Sequence, residues 1–539
     1  MDEMIYRIRY WWHHYKLKYS FIFIILIAVA DVLISKRISA GLSGAMSPFS
    51  QSYELLIFPV HLASFVLSLI SIAVPVMVIR YRDETGGRDC FRDMRETGRT
   101  YRDLIAYYRD SDPYRLDLSD FPVGKWDSAE GVILGHVGRR VICRSAFTKG
   151  GEGNNFALFA LPGAGKTTCQ IIPTALRFGG SVLAIDIKGD ILNVTKNKRR
   201  IKVFAPDDPE HSCHYDPLAG IKTMSAIERR TYLEQVAAVI VPEDKENKYW
   251  HETARAYFIG IALYCLEWNI ITLPEIADEI LQGNAVDWVL KIKESGCSDA
   301  QLYTDSLYGN SAKNLSGSFA ELAKCVRPFS YGSLADVLSG GGDMITPATL
   351  DAGIDVYVEI PQDKIAIYAP VTSIMITDFM TSFMRKTDVS SGKRIQPVLF
   401  LLDEFPQLDL GDPKILLAAL STLRSRCVSI FLCMQSISQL TEKYGENGFR
   451  SIMDCCQNIS IMSMQDPDSR RWAQSLIGSK KVIKVSTSVG GKYDSQAGRS
   501  TQEVLEPIFQ PEDFGNLGSK VLIYMNGRYV IADKTPWYA

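Results

Sequence analysis

The feature that most constrains the fold of this chain is a short segment that joins an apolar strand to a helix through a glycine-rich turn. The segment runs from Phe156 to Thr168 and reads FALFALPGAGKTT. Gly163 and Gly165 allow backbone N–H groups to point into one small cavity, and the helix beginning at Lys166 adds the partial positive charge of its N-terminus. This sequence therefore predicts a P-loop, the phosphate-binding turn of parallel α/β proteins.

The residues of this loop have separate expected roles. Lys166 is predicted to reach the β- and γ-phosphates of ATP, and the hydroxyl of Thr167 is predicted to bind Mg²⁺. Ala160 stands where the first glycine of the usual pattern is found, whereas the central Gly-Lys-Thr is intact. The residues expected to contact the nucleotide are Leu161, Pro162, Gly163, Ala164, Gly165, Lys166, Thr167 and Thr168.

An apolar run that ends in two acids predicts the other half of the site. The sequence PVLFLLDEF occupies positions 397–405, and continuous apolar runs of this kind are typical of buried parallel strands. Asp403 is placed to bind Mg²⁺ together with Thr167, and Glu404 is placed to orient or deprotonate the attacking water. The alternative is that both acids cap a helix that begins near Pro406.

Polar residues also flank the next apolar run, Val428–Gln435. Gln435 ends this predicted strand and is a candidate sensor of the γ-phosphate, although an ordinary strand-end amide would fit the same position. Arg424 and Arg426 precede the strand. An arginine can complete the site of a neighbouring subunit, and the alternative is that both are solvated charges at a helix end.

The remaining pattern predicts an α/β fold, with a RecA-like parallel P-loop sheet that is interrupted by an all-helical insertion. Strand-like runs alternate with helices on both sides of a region that has only helical periodicity. We predict a nucleotide-binding domain at 151–222 and 331–539, with the insertion at 223–330. Residues 83–150 are predicted to be a cytoplasmic linker and the start of the nucleotide-binding domain. The Ser- and Gly-rich stretch 486–501 is expected to be a loop.

Two apolar runs near the N-terminus, at about 19–35 and 55–79, predict transmembrane helices. Lysines and arginines precede the first run and follow the second, whereas the loop between them has only Lys36 and Arg37. This bias predicts a membrane anchor over 1–82, with both chain termini in the cytoplasm. The alternative for the first run is a cleaved signal peptide, which the two basic residues directly after it argue against.

Composition and cysteine spacing argue against several other classes of protein. The net charge is −2, whereas a dedicated nucleic-acid binder usually has a basic excess over its whole domain. The eleven cysteines include no CxxC pair, so neither a zinc site nor a disulfide framework is expected. The sequence HETAR at 251–255 begins like a zinc-protease motif but lacks its second histidine.

Taken together, these motifs resemble the VirD4/TraG family of type IV secretion coupling ATPases. The resemblance rests on the two apolar runs, the P-loop, the sequence DIKGD at 186–190, the helical insertion, LLDEF at 401–405, STLRSR at 421–426 and QSISQL at 435–440. It implies a homo-hexameric motor in which Arg424 acts in trans and Gln435 belongs to a nucleotide-sensing motif.

The same resemblance implies the place and the partners of the protein. The expected location is the bacterial inner or plasma membrane, in contact with its lipids and with other components of the secretion channel. The expected cargo is a relaxase bound to single-stranded DNA, or protein effectors, and the helical insertion is expected to contact it. Three alternatives remain: a protein-only secretion ATPase, an FtsK-type DNA pump, and a membrane receptor that binds ATP without mechanical work.

Overall fold

The computed structural model describes most of the chain from residue 114 onward. The described residues are 77, 78, 91, 94, 114–121, 123, 129–145, 154–242, 247–387, 396–408, 410, 413–488, 498–515 and 517–538. The two predicted membrane helices lie outside them, apart from residues 77 and 78. One compact unit comprises residues 115–477 and 509–539, and the segment 478–508 belongs to a second unit.

Strands and helices alternate through most of the described chain, and all of the strands except the two at 479–488 and 498–507 belong to the larger unit. The strands are β1 (Val132–Val137), β2 (Arg140–Arg144), β3 (Phe156–Phe159), β4 (Ser181–Asp186), β5 (Ile201–Phe204), β6 (Asp355–Glu359), β7 (Val398–Leu402), β8 (Val428–Met434), β9 (Asn458–Ile461), β10 (Ser479–Ser488), β11 (Gly498–Pro507), β12 (Lys520–Met525) and β13 (Arg528–Asp533). The helices are α1 (Ile172–Arg177), α2 (Asp190–Thr195), α3 (Ala226–Ile240), α4 (Lys248–Glu267), α5 (Leu273–Gln282), α6 (Ala285–Ser295), α7 (Ser298–Thr304), α8 (Ala312–Ser330), α9 (Ser333–Leu338), α10 (Pro347–Asp351), α11 (Ile365–Met384), α12 (Pro413–Thr422), α13 (Ser438–Asp454) and α14 (Pro467–Ile477).

Eleven strands of the described chain form one sheet, in the order β2-β1-β13-β12-β9-β3-β8-β7-β4-β6-β5. The strands from β9 to β5 in this order all run parallel. The four others extend the sheet by antiparallel pairing beyond β9. The predicted α/β fold with a RecA-like, mostly parallel sheet is therefore confirmed, and four antiparallel strands extend it on one side.

The central strands are buried on both faces. Every residue of β3, β4, β7 and β8 is buried, which explains why these strands appear in the sequence as continuous apolar runs. On one face, Phe156, Leu158, Leu399 and Leu401 belong to the same core cluster as Ile172 of α1. This packing fixes the position of the chain that leaves β3 at its carboxyl end.

Helices α3 to α10 occupy the connection between β5 and β6, two strands that are direct neighbours in the sheet. Ser225 and Thr272 are the N-cap residues of α3 and α5, and each forms a capping box. In each box the side chain of the third helical residue, Glu228 or Glu275, accepts a hydrogen bond from the backbone N–H of the N-cap residue. At the centre of the group, α4 packs its Tyr257 ring edge-on against Phe319 of α8. The helical residues therefore have a core of their own.

The chain that enters this helical region and the chain that leaves it are joined by backbone hydrogen bonds, which we call the neck. His214 donates to the carbonyl of Asp343 at 2.9 Å and accepts from Ile345 at 2.7 Å. Tyr215 donates to the carbonyl of Val337 at 2.9 Å. The two ends of the helical region are thus held side by side.

One helix in the described part of the chain, spanning Gln362–Met384, is long and apolar enough to cross a membrane. Its aromatic residues contact the sheet and the neck: Phe383 packs edge-on against Phe400 of β7, and Phe379 packs against Tyr215. This helix, which includes α11, is therefore apolar because it packs in the core of the protein.

The stretch 486–501, expected to be a loop, belongs in part to a hairpin. Strands β10 and β11 pair antiparallel from Ser479 with Pro507 to Ser488 with Gly498. Residues 489–497 lie outside the described part of the chain. The loop prediction was wrong at both ends because serine and threonine are tolerated in strands when cross-strand pairing supplies the stability.

Candidate functional site

Three predicted site segments meet at one edge of the sheet. Strand β8 lies between β3 and β7, and all three run parallel. The P-loop follows β3, Gln435 follows β8, and Asp403 with Glu404 follows β7. Since the carboxyl ends of parallel strands share one edge, these segments lie together there, where α/β sheets characteristically bind ligands.

The P-loop has the backbone conformation that its glycines permit. Gly163 and Gly165 have φ values of +76° and +90°, which side chains other than hydrogen rarely allow. A Cβ atom at Gly165 would also meet the sulfur of Cys169 at 3.3 Å. The N–H of Ala160 donates to the carbonyl of Met434 in β8 at 3.0 Å, so the loop starts from a fixed point.

Lys166 contacts both acids that follow β7. Its Nζ lies 2.8 Å from Oδ1 of Asp403 and is also hydrogen-bonded to Oε1 of Glu404. Burial opposes the charge on Lys166, but the two carboxylates outweigh that effect and raise its pKa. The lysine is therefore fully protonated at neutral pH, as phosphate binding requires.

Glu404 has an unusual backbone conformation. Its φ is +50°, in the left-handed region, and it is not a glycine. Its N–H donates to Oδ1 of Asp403 at 2.9 Å, and Nε2 of Gln435 donates to its Oε2 at 3.3 Å. Strained residues of this kind cluster at functional sites, and here the strain turns the carboxylate of Glu404 toward both Lys166 and Gln435.

The residues predicted to bind a metal form a set of hard oxygen ligands. Asp403 is buried, with 8% of its surface exposed, and Thr167 begins the helical turn directly after Lys166. Among the described residues, no group of three or more His, Cys, Asp or Glu side chains could hold a metal. A hydroxyl and one carboxylate fit Mg²⁺, which usually takes its other ligands from water and substrate phosphates.

Arg424 does not lie with the other predicted site residues of its own chain. It belongs to a short 3₁₀ turn, Leu423–Arg426, that precedes β8, whereas Gln435 follows the same strand. The seven residues of β8 separate the two positions by about 20 Å. The structure thus brings together Lys166, Asp403, Glu404 and Gln435 but places Arg424 at the opposite edge of the sheet.

Asp186 ends β4 and organises the chain that follows it. Its carboxylate accepts a hydrogen bond from the N–H of Leu192 at 2.8 Å, and Gly189 supplies the left-handed turn between them, with φ of +70°. Burial raises the pKa of Asp186 to about 6, and the nearby Glu359 adds to this rise. The DIKGD sequence therefore closes the turn between β4 and α2.

The sequence analysis assigned no role to two residues that form hydrogen bonds at the site, Gln439 and Lys534. The N–H of Gln435 donates to Oε1 of Gln439 at 3.1 Å, and Lys534 donates to the carbonyl of Ala164 inside the P-loop at 2.7 Å. The four-residue spacing of Gln435 and Gln439 offered one signal. Lys534 offered none, because 370 residues separate it from Ala164.

The parallel sheet, the P-loop and the paired acids define a P-loop protein with a RecA-like core. Residues 116–539 match the family described as Type IV secretory system Conjugative DNA transfer. The chain belongs to this family, and the resemblance noted from its motifs is confirmed.

Individual relatives agree with this assignment. The chain is 25% identical to Protein VirD4 of Agrobacterium fabrum (strain C58) over 68% of this chain and 56% of that protein. It is 22% identical to Conjugal transfer protein TraG of Escherichia coli over 72% of this chain and 64% of that protein. The chain therefore spans little more than half the length of the curated relatives it matches.

A solved structure shares the fold. Plasmid coupling protein TrwB in complex with ADP and Mg²⁺ superposes with a TM-score of 0.56 at 16% identity, covering 71% of this chain and 85% of that one. At this identity the likeness concerns the fold alone.

Proposed function

We propose that this chain is a membrane-anchored ATPase that acts as the coupling protein of a type IV secretion or conjugation system. In this role it recruits relaxase-bound single-stranded DNA, protein substrates or both to the channel, and drives their transfer by ATP hydrolysis. The observation that carries the proposal is the contact of Lys166 with Asp403 and Glu404, beside Gln435, at the carboxyl edge of the sheet. Family membership connects that site to DNA transfer.

The chemistry follows from the groups at this edge. The phosphates of ATP are bound by the backbone N–H groups of the loop 161–168 and by Lys166, which exchanges its carboxylate partners for phosphate oxygens. That exchange releases Glu404 to orient or deprotonate the attacking water. Gln435 touches Glu404 and is therefore placed to report whether the γ-phosphate is present.

Thr167 and Asp403 would hold Mg²⁺. The ion supplies positive charge that offsets the charge developing on the phosphate oxygens. The TrwB structure was solved with ADP and Mg²⁺, which supports Mg²⁺ as the cofactor.

The position of Arg424 supports assembly into a ring. Because about 20 Å of β8 separates it from the site of its own chain, it can act in catalysis only on the site of a neighbouring subunit. We therefore assign it as the trans arginine of a homo-hexamer, stabilising the charge on the transferred phosphoryl group.

The remaining assignments extend the same proposal. Residues 1–82 form the anchor in the bacterial inner or plasma membrane, with helices at about 19–35 and 55–79 and both termini cytoplasmic. Residues 151–222 and 331–539 form the nucleotide-binding domain, and the linker 83–150 leads into it. The helices within 223–330 form the insertion, which contacts cargo or accessory proteins.

The test is a mating assay in the native host with the wild-type allele and Lys166→Ala, scoring transfer of a marked element. We expect transfer to be lost, because the alanine leaves the phosphates without their main cation. The matched control is Lys196→Ala, which removes an exposed lysine that follows α2. Transfer by Lys166→Ala at the wild-type rate, with equal amounts of protein in the membrane, would overturn the DNA-transfer function.

A further inference from the structure

The chain after β13 contacts the P-loop and its helix, and these contacts satisfy backbone groups that the loop itself leaves open. The helix after Lys166 begins with a π-helical turn, Thr167–Ile171, in which the N–H of Ile172 donates to the carbonyl of Thr167. The next residue is Pro173, which has no N–H. In the same π-helical pattern the carbonyl of Thr168 would accept from the N–H of residue 173. Because Pro173 has no N–H, this carbonyl has no donor within the helix.

Trp537 supplies the missing donor. Its backbone N–H donates to the carbonyl of Thr168 at 3.1 Å, and its side chain packs against the core cluster that contains Ile172. An unpaired carbonyl at the start of a helix costs free energy when it is kept from water. The π-helical turn and the C-terminal segment thus form one structural unit.

Lys534 makes a second contact, within the phosphate-binding turn. Its Nζ donates to the carbonyl of Ala164 at 2.7 Å and to the carbonyl of Gly518 at 2.7 Å. In a trans peptide the C=O and the following N–H point in opposite directions. A lysine that holds the carbonyl of Ala164 from outside the loop therefore aims the N–H of Gly165 into the phosphate cavity.

The segment that carries these two contacts is itself anchored to the sheet. The hydroxyl of Thr535 hydrogen-bonds Nδ1 of His136 in β1 at 3.0 Å, and Thr535 is buried. Strand β13, which leads into the segment, pairs with β12 along its length. Lys534 and Trp537 are therefore presented to the P-loop from a rigid support.

The geometry points to Lys534 as a positioning residue for nucleotide binding, which holds the P-loop peptide 164–165 in the phosphate-binding orientation from outside the site. Residues 534–537, which we call the C-terminal clamp, thus support the P-loop from outside the nucleotide site although they lie far from the loop in sequence. This inference rests on the proposed ATPase function. It differs from a direct contact with ATP, because both partners of Lys534 are backbone carbonyls.

The test compares Lys534→Met and Lys534→Arg with the wild type in the full-length protein purified in detergent. We expect the methionine variant to bind a fluorescent ATP analogue with Mg²⁺ about tenfold more weakly, because the loop loses a charged hydrogen bond. Arginine keeps a charged donor and should restore most of the affinity. At saturating ATP the kcat of both variants should stay near the wild-type value, since Lys534 touches no reacting atom.

The matched control is Lys520→Met on the neighbouring strand, where the lysine is half exposed and pairs with Asp533. If Lys534→Met lowers the melting temperature, Lys534→Leu replaces it, because leucine is shorter and also lacks a hydrogen-bond donor. Unchanged affinity in a folded Met or Leu variant, beside a wild type that binds, would overturn the positioning role alone. A wild type that does not bind the analogue would overturn the ATPase function as well.

Discussion

Among single residues, Lys166 has two carboxylate partners, and this pairing sets the order of events at the site. The ammonium contacts Asp403 at 2.8 Å and also contacts Glu404. A phosphate that enters the loop competes with both acids for one cation. In the proposed mechanism, nucleotide binding and the release of Glu404 are therefore coupled, and the acid becomes free to act on water only when ATP has taken its place beside Lys166.

Glu404→Gln tests the role of this acid. The amide has the same size and should keep the backbone turn, but it cannot accept a proton from water, so we expect kcat for ATP hydrolysis to fall by about 10²-fold or more. Nucleotide affinity should be unchanged or higher. Steady-state ATPase assays and equilibrium binding measure the two quantities.

Glu442→Gln is the control for this change, because Glu442 is an exposed acid on α13. Hydrolysis by Glu404→Gln at the wild-type rate would show that another group orients the water, with Asp403 as the nearest candidate.

Sequence alone placed four residues of the site, because each follows an apolar strand or a glycine-rich turn. Lys166, Asp403, Glu404 and Gln435 have local patterns that indicate both their strand and its polarity. Lys534 has no such pattern, since only the tertiary fold brings β13 beside the P-loop. Local sequence patterns therefore could not identify side chains that contact the site from elements distant in the sequence.

Among the elements, α13 connects Gln435, through Gln439, to the segment that follows Glu404. Gly445 interrupts this helix, with φ of +69° and ψ of +170°. On the N-terminal side of the break, Lys443 donates to the carbonyls of Pro406 and Leu408, and the ring of Tyr444 stacks on that of Phe405 at 6.0 Å. The first half of α13 is therefore attached to residues 405–408, which directly follow Glu404.

Lys443→Met tests this link. Without the hydrogen bonds to the loop, Glu404 should be held less firmly, and we expect kcat to fall about tenfold while nucleotide affinity is kept. ATPase kinetics and analogue binding separate the two effects. The control Lys196→Met changes an exposed lysine elsewhere, and a fall in affinity equal to the fall in kcat would contradict the link.

Asp378 on α11 makes stability depend on pH. Burial raises its pKa to about 6 from the ordinary 3.8, and Asp216 adds to the rise, while Tyr215 and Arg385 oppose it. Between these two pH values the native state binds a proton that the unfolded chain has released. Stability therefore falls as pH rises through this window.

The side chain at this position cannot ionise in the variant Asp378→Asn, so the substitution should remove the part of the fall in stability that Asp378 causes, an effect of about 3 kcal/mol at most. Urea unfolding at several values from about pH 4 to about pH 7 measures it. Asp186 has a pKa raised in the same direction, but it is present in both proteins, so the difference isolates Asp378. The exposed Asp336→Asn is the control, and equal slopes for wild type and Asp378→Asn would contradict the prediction.

The parallel strands were predictable because burial on both faces leaves a continuous apolar run. Strand β1 and the pairing of β10 with β11 were not, for different reasons. Strand β1 includes Gly135 and His136 and depends on its neighbours β2 and β13. The parts of the hairpin within 486–501 consist mainly of Ser, Thr and Gly, so their sequence resembles that of a loop.

In the whole molecule, the proposed ring makes a prediction about subunit mixtures. Arg424→Ala and Lys166→Ala should each abolish ATP hydrolysis when alone. In a mixed ring, an intact P-loop of the first variant can meet the intact arginine of the second, so mixing should restore a measurable part of the activity. The assay is ATP hydrolysis after the two proteins are mixed and allowed to exchange subunits.

Arg426→Ala is the matched control for that mixture, since it changes the other arginine of the same turn. A mixture that remains inactive, although subunit exchange is demonstrated, would exclude action of Arg424 on a neighbouring site.

The neck at His214 and Ile345 has a consequence for how such a protein diversifies. Strands β5 and β6 are neighbours whether the chain between them is short or long, and the hydrogen bonds of His214 with Asp343 and Ile345 close that chain at its base. Everything beyond the neck is then a cassette that can be exchanged without changing the register of the sheet. Under the proposed function, recognition of new cargo can evolve in this region by recombination, while the ATPase domain is inherited unchanged.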